Sequence, residues 1–146
     1  MAISNAVNAF GTLLQRGNGA GSEVFTTVAE VTNITGPALS LEMIEVTNHT
    51  STSGWKERIG GLLDAGEVGF EVNFLPASGT GHGYNQGLIT DIANRTKRNF
   101  KIVFPDTNST TWQFAGFVTK FSPKAPVNAQ LSATVSIQIT GVPSLT

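Results

Sequence analysis

Few residues of this 146-residue chain are equipped for chemistry. Two carboxylate pairs come first: Glu67/Glu71 in "GEVGFEVNF" and Glu42/Glu45 in "LEMIEV". On a strand Glu67 and Glu71 share a face, but a rise of about 3.3 Å per residue sets them roughly 13 Å apart. Hydrolysis of a glycosidic bond needs a pair about 5–10 Å apart. The two histidines, His49 and His82, lie in separate Thr- or Gly-rich segments. A metal would need a third ligand and supporting hydrogen bonds, so a structural or solvent-facing role is the simpler reading. "GTGHG" (79–83) and "GNGAG" (17–21) look like phosphate loops, yet no Lys-Ser/Thr follows either, and both read as turns. There is no G-x-S-x-G elbow. Arg95, Lys97, Arg98 and Lys101 make a basic cluster. It suits phosphate, a solvated helix end, or acidic groups on a neighbour, and basic residues elsewhere are too few for a reader of nucleic-acid sequence. The Asn-x-Thr sequons at Asn33, Asn48, Asn94 and Asn108 follow from a composition rich in Thr and Asn. These residues point to no catalytic, metal or cofactor site.

The elements that carry them are mostly strands. "EVFTTVAEVTNI" (23–34) and "LSLEMIEVT" (39–47) are rich in β-branched and apolar residues, and Gly36-Pro37 marks a turn between them. The second loses phase at Ile44, which predicts a bulge. Residues 66–75 alternate: Val68, Phe70, Val72 and Phe74 against Glu67, Gly69, Glu71 and Asn73. Strands are also predicted over 99–105, 110–122 and 129–141, the last with Leu131, Ala133, Val135, Ile137 and Ile139 inward. Tyr84, Leu88 and Ile92 fall at helical spacing, predicting one helix over 84–95. Residues 48–66 show no strand pattern and read as a long loop holding Trp55. Residues 1–22, with four glycines, read as a flexible arm, with a short helical turn near 6–14. The fold class is mainly β: an antiparallel β-sandwich or open barrel, residues 23–146, with one flanking α-helix.

Composition narrows the function further. Charged residues are 13% of the chain, with nine Lys and Arg against ten Asp and Glu, against a usual share of about 25%. Thr (18), Ser (11) and Asn (11) supply the polar surface instead. Neutral polar groups cost less to desolvate than charges, and a net charge of −1 leaves little mutual repulsion. Both favour self-association. The chain has no cysteine, no basic start followed by a signal-like apolar core, and no apolar run long enough to span a bilayer as a helix.

Three segments, in order and at their spacing, carry a resemblance: "ITGPALS…IEVTNH", "GWKERIGGLLDAGEV" and "GFVTKFSPKAPV". Nearly everything after Thr27 resembles the major tail tube protein of long, non-contractile-tailed, lambda-like bacteriophages. The resemblance implies a β-sandwich that forms hexameric rings stacked into a tube through which the genome passes. It implies no enzyme activity and no cofactor. The implied partners are further copies of the chain, tape measure, tail terminator and tail-tip proteins, and DNA in transit without specific binding, with no membrane partner. It implies a place in the virion after synthesis in the host cytoplasm. Larger relatives carry a C-terminal immunoglobulin-like domain, which is expected to be absent here.

Under this resemblance, Glu67, Glu71 and Glu42 are candidates for the lumen, where carboxylates would repel phosphates, and the neutral Ser132–Thr140 face competes for the same wall. Thr50, Trp55, Lys56, Glu57 and Arg58, in the 48–64 loop, are candidates for contact with an adjacent subunit. The N-terminal arm and "VPSLT" are further candidates for crossing between rings. A tube subunit of a contractile or type VI-like apparatus is the nearest alternative. A ligand-binding sandwich using Trp55, Trp112 and Tyr84 is a more distant one.

Overall fold

Period-two alternation is the strongest local instruction in the chain, because successive strand residues face opposite sides of a sheet. In the computed structural model, which describes residues 3–76, 82 and 87–146, it produces nine strands. They are β1 (Leu13–Gly17), β2 (Phe25–Thr27), β3 (Val31–Thr35), β4 (Ser40–Glu45), β5 (Arg58–Asp64), β6 (Glu67–Asn73), β7 (Lys97–Val103), β8 (Thr111–Lys124) and β9 (Ser132–Leu145). One short helix, α1, spans Leu88–Ala93. Seven strands form one antiparallel sheet in the order β2-β1-β7-β8-β9-β6-β3, while β4 and β5 pair only with each other.

The inner face of the large sheet holds the core. Val68, Phe70 and Val72 of β6 stand opposite Ile137, Val135 and Ala133 of β9, and all six are buried. Phe100 of β7 pairs with Phe114 of β8, their rings stacked at 5.9 Å. Leu14, near one edge of the sheet, belongs to the same cluster as Val68, near the other. Residues 9–12, leading into β1, and Val31–Ile34 of β3 line one groove. The sheet is therefore curled into an open barrel, with α1 against β8.

Four expectations change. The arm of 1–22 ends earlier: Leu13–Gly17 pair with β7 and β2, because Leu14 has an apolar slot beside Ile102. No helical turn forms over the described part of 6–14. The loop of 48–66 is interrupted by β5, whose Gly60-Gly61 obscured its alternation. The single strand of 23–34 is broken at Glu30, which has φ 57°. The predicted start of the helix, including Tyr84, lies outside the described residues, as does most of "GTGHG". His82 is buried and ties Leu75 to Ala29: Nδ1 accepts from the Leu75 amide and Nε2 donates to the Ala29 carbonyl.

A buried charge cluster fixes β1 and α1 to the sheet. Asp91 of α1 accepts from Arg16 Nε at 2.5 Å and Nη2 at 2.6 Å, and from Arg98 Nε at 3.0 Å. Arg98 Nη1 also donates to the Asn18 carbonyl. Removing the shared anion would strand two guanidinium groups in a dry setting, a loss of about 3–5 kcal/mol. Asp91→Ala is therefore expected to lower the urea midpoint by that equivalent at neutral pH without changing the slope. Phe100→Ala, opening a cavity in the core, is expected to cost about 3–5 kcal/mol in the same titration.

Candidate functional site

The β4–β5 hairpin is built on a stiff base. The chain enters it past Gly36 (φ +103°) and leaves past Gly66 (φ +71°). A Cβ at either would lie 2.5 Å from a backbone carbonyl oxygen, of Glu67 and Ala38 respectively, so only glycine fits this conformation. Ser40 pairs with Asp64 and Glu45 with Arg58, and the register shifts between Leu41 and Met43. The bulge predicted near Ile44 thus lies slightly earlier.

The tip is held by its own polar groups. Thr50 donates to Asn48 Oδ1 from both amide and hydroxyl, Ser51 Oγ donates to Glu57 Oε2 at 2.8 Å, and the Glu57 amide donates to Thr47 Oγ1 at 2.9 Å. Such side-chain bonds replace a regular turn. They hold Trp55 clear of the chain at 76% exposure. Trp55 therefore covers no part of the core cluster.

Both faces of the hairpin are apolar and uncovered. Leu41, Met43, Ile44 and Ile59 are about half exposed, and Leu62 and Leu63 are 79% and 80% exposed. Isolated two-stranded ribbons are at best marginally stable in water, and a contiguous apolar patch on a folded chain marks an interaction surface. Thr50, Trp55, Lys56, Glu57 and Arg58, the candidates for contact with an adjacent subunit, gather at the tip. Leu62 and Leu63 were missed because two glycines precede them.

The second surface is the outer face of the large sheet. Glu67 stands opposite Gln138, and Glu71 lies between Thr134 and Asn33. The carboxylate row and the Ser132–Thr140 row, weighed as competitors, are therefore one face. Glu42 lies on β4 in the separate ribbon, not with that row. Lys120 and Lys124 of β8 hold register positions on the same outer face, beside Ser136 and Ser132.

The basic cluster after α1 is split by strand alternation. Arg98 turns inward to Asp91, while Lys101 lies over the Phe25 ring at 4.0 Å. Trp112 packs against the core, and "VPSLT" is tied down, with Leu145 opposite Trp112 and Thr146 bonded to Thr111. Among the described residues no three His, Cys, Asp or Glu side chains cluster as metal ligands would. No described helix is long and apolar enough to cross a membrane.

Comparison with curated protein sequences finds no match. Solved structures do share the fold. The tail of an empty gene transfer agent particle, of C6 symmetry, is similar at TM-score 0.75 and 18% identity, over 97% of this chain and 99% of that one. A chain of the native gene transfer agent virion gives 0.74 at 18%, with the same coverage. A chain of the anti-feeding prophage baseplate gives 0.69 at 12%, over 99% of this chain and 97% of that one. The family model of the lambda phage tail tube protein matches residues 12–146, and the chain belongs to that family.

Proposed function

We propose that this chain is a virion structural protein, not an enzyme, that assembles into hexameric rings stacked as the tail tube, the conduit for genome delivery. Family membership carries the role. The single structural observation that supports assembly is the ribbon of Ser40–Asp64, apolar on both faces and, among the described residues, paired with no other strand and left exposed. Burial of its leucines against other copies supplies the driving force, at about 25 cal/mol per Å² of apolar surface removed from water. Tape measure, terminator and tip proteins are the proposed partners at the tube ends, and the host cytoplasm is the proposed place of synthesis.

The outer face of β6 and β9 is proposed as the lumen wall. There Glu67 and Glu71 repel phosphates, and the hydroxyl row of β9 offers no cation to hold them. A tube subunit of a contractile apparatus is the second reading, favoured by the likeness to the anti-feeding prophage chain; copurification with a sheath protein would decide for it.

Two outcomes are expected. Wild-type protein gives rings or tubes in negative stain, whereas Leu62→Ser with Leu63→Ser stays a folded, dispersed particle by circular dichroism and sedimentation. Intact tubes from that double variant would remove the ribbon from assembly. Glu67→Lys with Glu71→Lys is expected to leave tubes intact while making DNA adhere in a salt-dependent way. Unchanged DNA passage and retention would place these carboxylates outside the bore.

A further inference from the structure

The chain carries a knob and a hole in different places. The knob is the hairpin tip around Trp55. The hole is a groove of about 800 Å³ where the N-terminal segment crosses β3 and β8, lined by Val7, Phe10, Ile34, Phe104, Trp112 and Leu145. Gly36, at the root of the hairpin, also lines the groove. The six residues of β4 alone span roughly 20 Å at about 3.3 Å each, so knob and hole lie at opposite ends of the hairpin.

Their charges are opposite. Among the described residues, Asp106 is the one charged residue along the groove. The Thr110 hydroxyl and then the Thr110 amide, at 2.7 Å, hold its carboxyl below the ordinary carboxylate range. It therefore stays anionic into acid. At the tip Lys56 and Arg58 follow Trp55 in the chain, while Glu57 is turned back to Ser51 and Glu45 stands opposite Arg58 in the ribbon. A surface pair of this kind, not complementary to itself, joins copies head to tail and repeats in one direction.

We propose that the Trp55 tip of one copy seats in the groove of a second copy, with Lys56 and Arg58 facing Asp106. This rests on the tube reading and names the partner surface of its hairpin. The contact is directional, so an assembled end exposes either free tips or free grooves, never both.

The test uses two variants of the whole chain. Trp55→Ala removes the knob; Ala9→Trp fills the groove from an exposed position on its wall. Each is expected to be folded and to form no tubes alone. Mixed in equal amounts, they are expected to form complexes of finite size containing both, because each retains the half that the other lacks. Tubes from Ala9→Trp alone, or a mixture with no joint complex, would overturn the inference. As a check independent of groove filling, Lys56→Glu with Arg58→Glu should raise the subunit concentration needed for tubes at least tenfold; an unchanged threshold would also overturn it. If wild-type protein forms no rings or tubes under any condition, the tube reading itself falls instead.

Discussion

A ribbon of two strands cannot bury both of its faces against itself. That constraint governs the molecule, because Ser40–Asp64 carries apolar side chains on both faces and pairs with no other strand of the chain. A floppy segment of this composition would collapse onto the nearest core or aggregate. Here the base is fixed by Gly36 and Gly66, and the tip by Asn48, Ser51 and Glu57. Ordering is thus largely complete before any partner arrives, which lowers the entropy lost on association. Scarcity of charge acts in the same direction, since few ions need stripping of water when the ribbon is covered.

The large sheet shows the complementary solution. One side holds a closed core and the other is left polar, so period-two alternation divides packing from surface along every long strand. Curling brings β1 and β3 near each other, but closure is not by hydrogen bonds. Asp91, clasped by Arg16 and Arg98, draws β1 and α1 onto the inner face. The two edges are blunted: β2 is only three residues long, and β3 is irregular in register, both of which discourage indiscriminate strand pairing. The sheet is therefore a poor site for random association, which leaves the ribbon as the sticky element.

Legibility in the sequence followed periodicity. β6 was readable to within two residues because Val68, Phe70 and Val72 alternate without a break, whereas β9, expected over 129–141, runs Ser132–Leu145 and leaves Leu131 outside it and exposed. The helix was placed by Leu88 and Ile92, although its described length is one and a half turns. β1 was not readable: five residues between glycines show no pattern, and only tertiary contact with Phe100 and Ile102 makes Leu13–Gly17 a strand. β5 was hidden because Gly60 and Gly61 interrupt its alternation; a Cβ at Gly61 would lie 3.0 Å from Ile44 of the partner strand, whereas one at Gly60 would make ordinary contact with Leu41. The exposed tip around Trp55 was legible as a projecting segment, because Asn48, Ser51 and Trp55 lie in a stretch with no strand pattern. The union of the Glu67 and Ser132–Thr140 rows was not, because it depends on which strands pair.

Charge along the outer face limits how much of it can line a path for DNA. Lys97 and Lys101 of β7 and Lys120 and Lys124 of β8 occupy outer register positions, against Glu67 and Glu71 of β6 and against Glu23 and Glu30, which bond the outer-face side chains of Asn99 and Asn73: four positive and four negative balance, but the lysines are gathered on β7 and β8. A bore made of all of it would hold phosphates, since each cation in contact adds salt-dependent affinity. The strand between the two groups, β9, is neutral on this side. Adjacent strands also rotate by about 20–25°, so three steps from β6 to β7 turn the face through roughly 60–75°. A sheet twisted that far presents its acidic and hydroxyl-bearing strands in one direction while β7 looks well aside, and the β8 lysines, Lys120 and Lys124, stand at the boundary beside Ser136 and Ser132. The proposed conduit therefore requires the wall to be drawn from the β3-β6-β9 side, with the lysines of β7 directed toward neighbouring protein rather than toward the polymer.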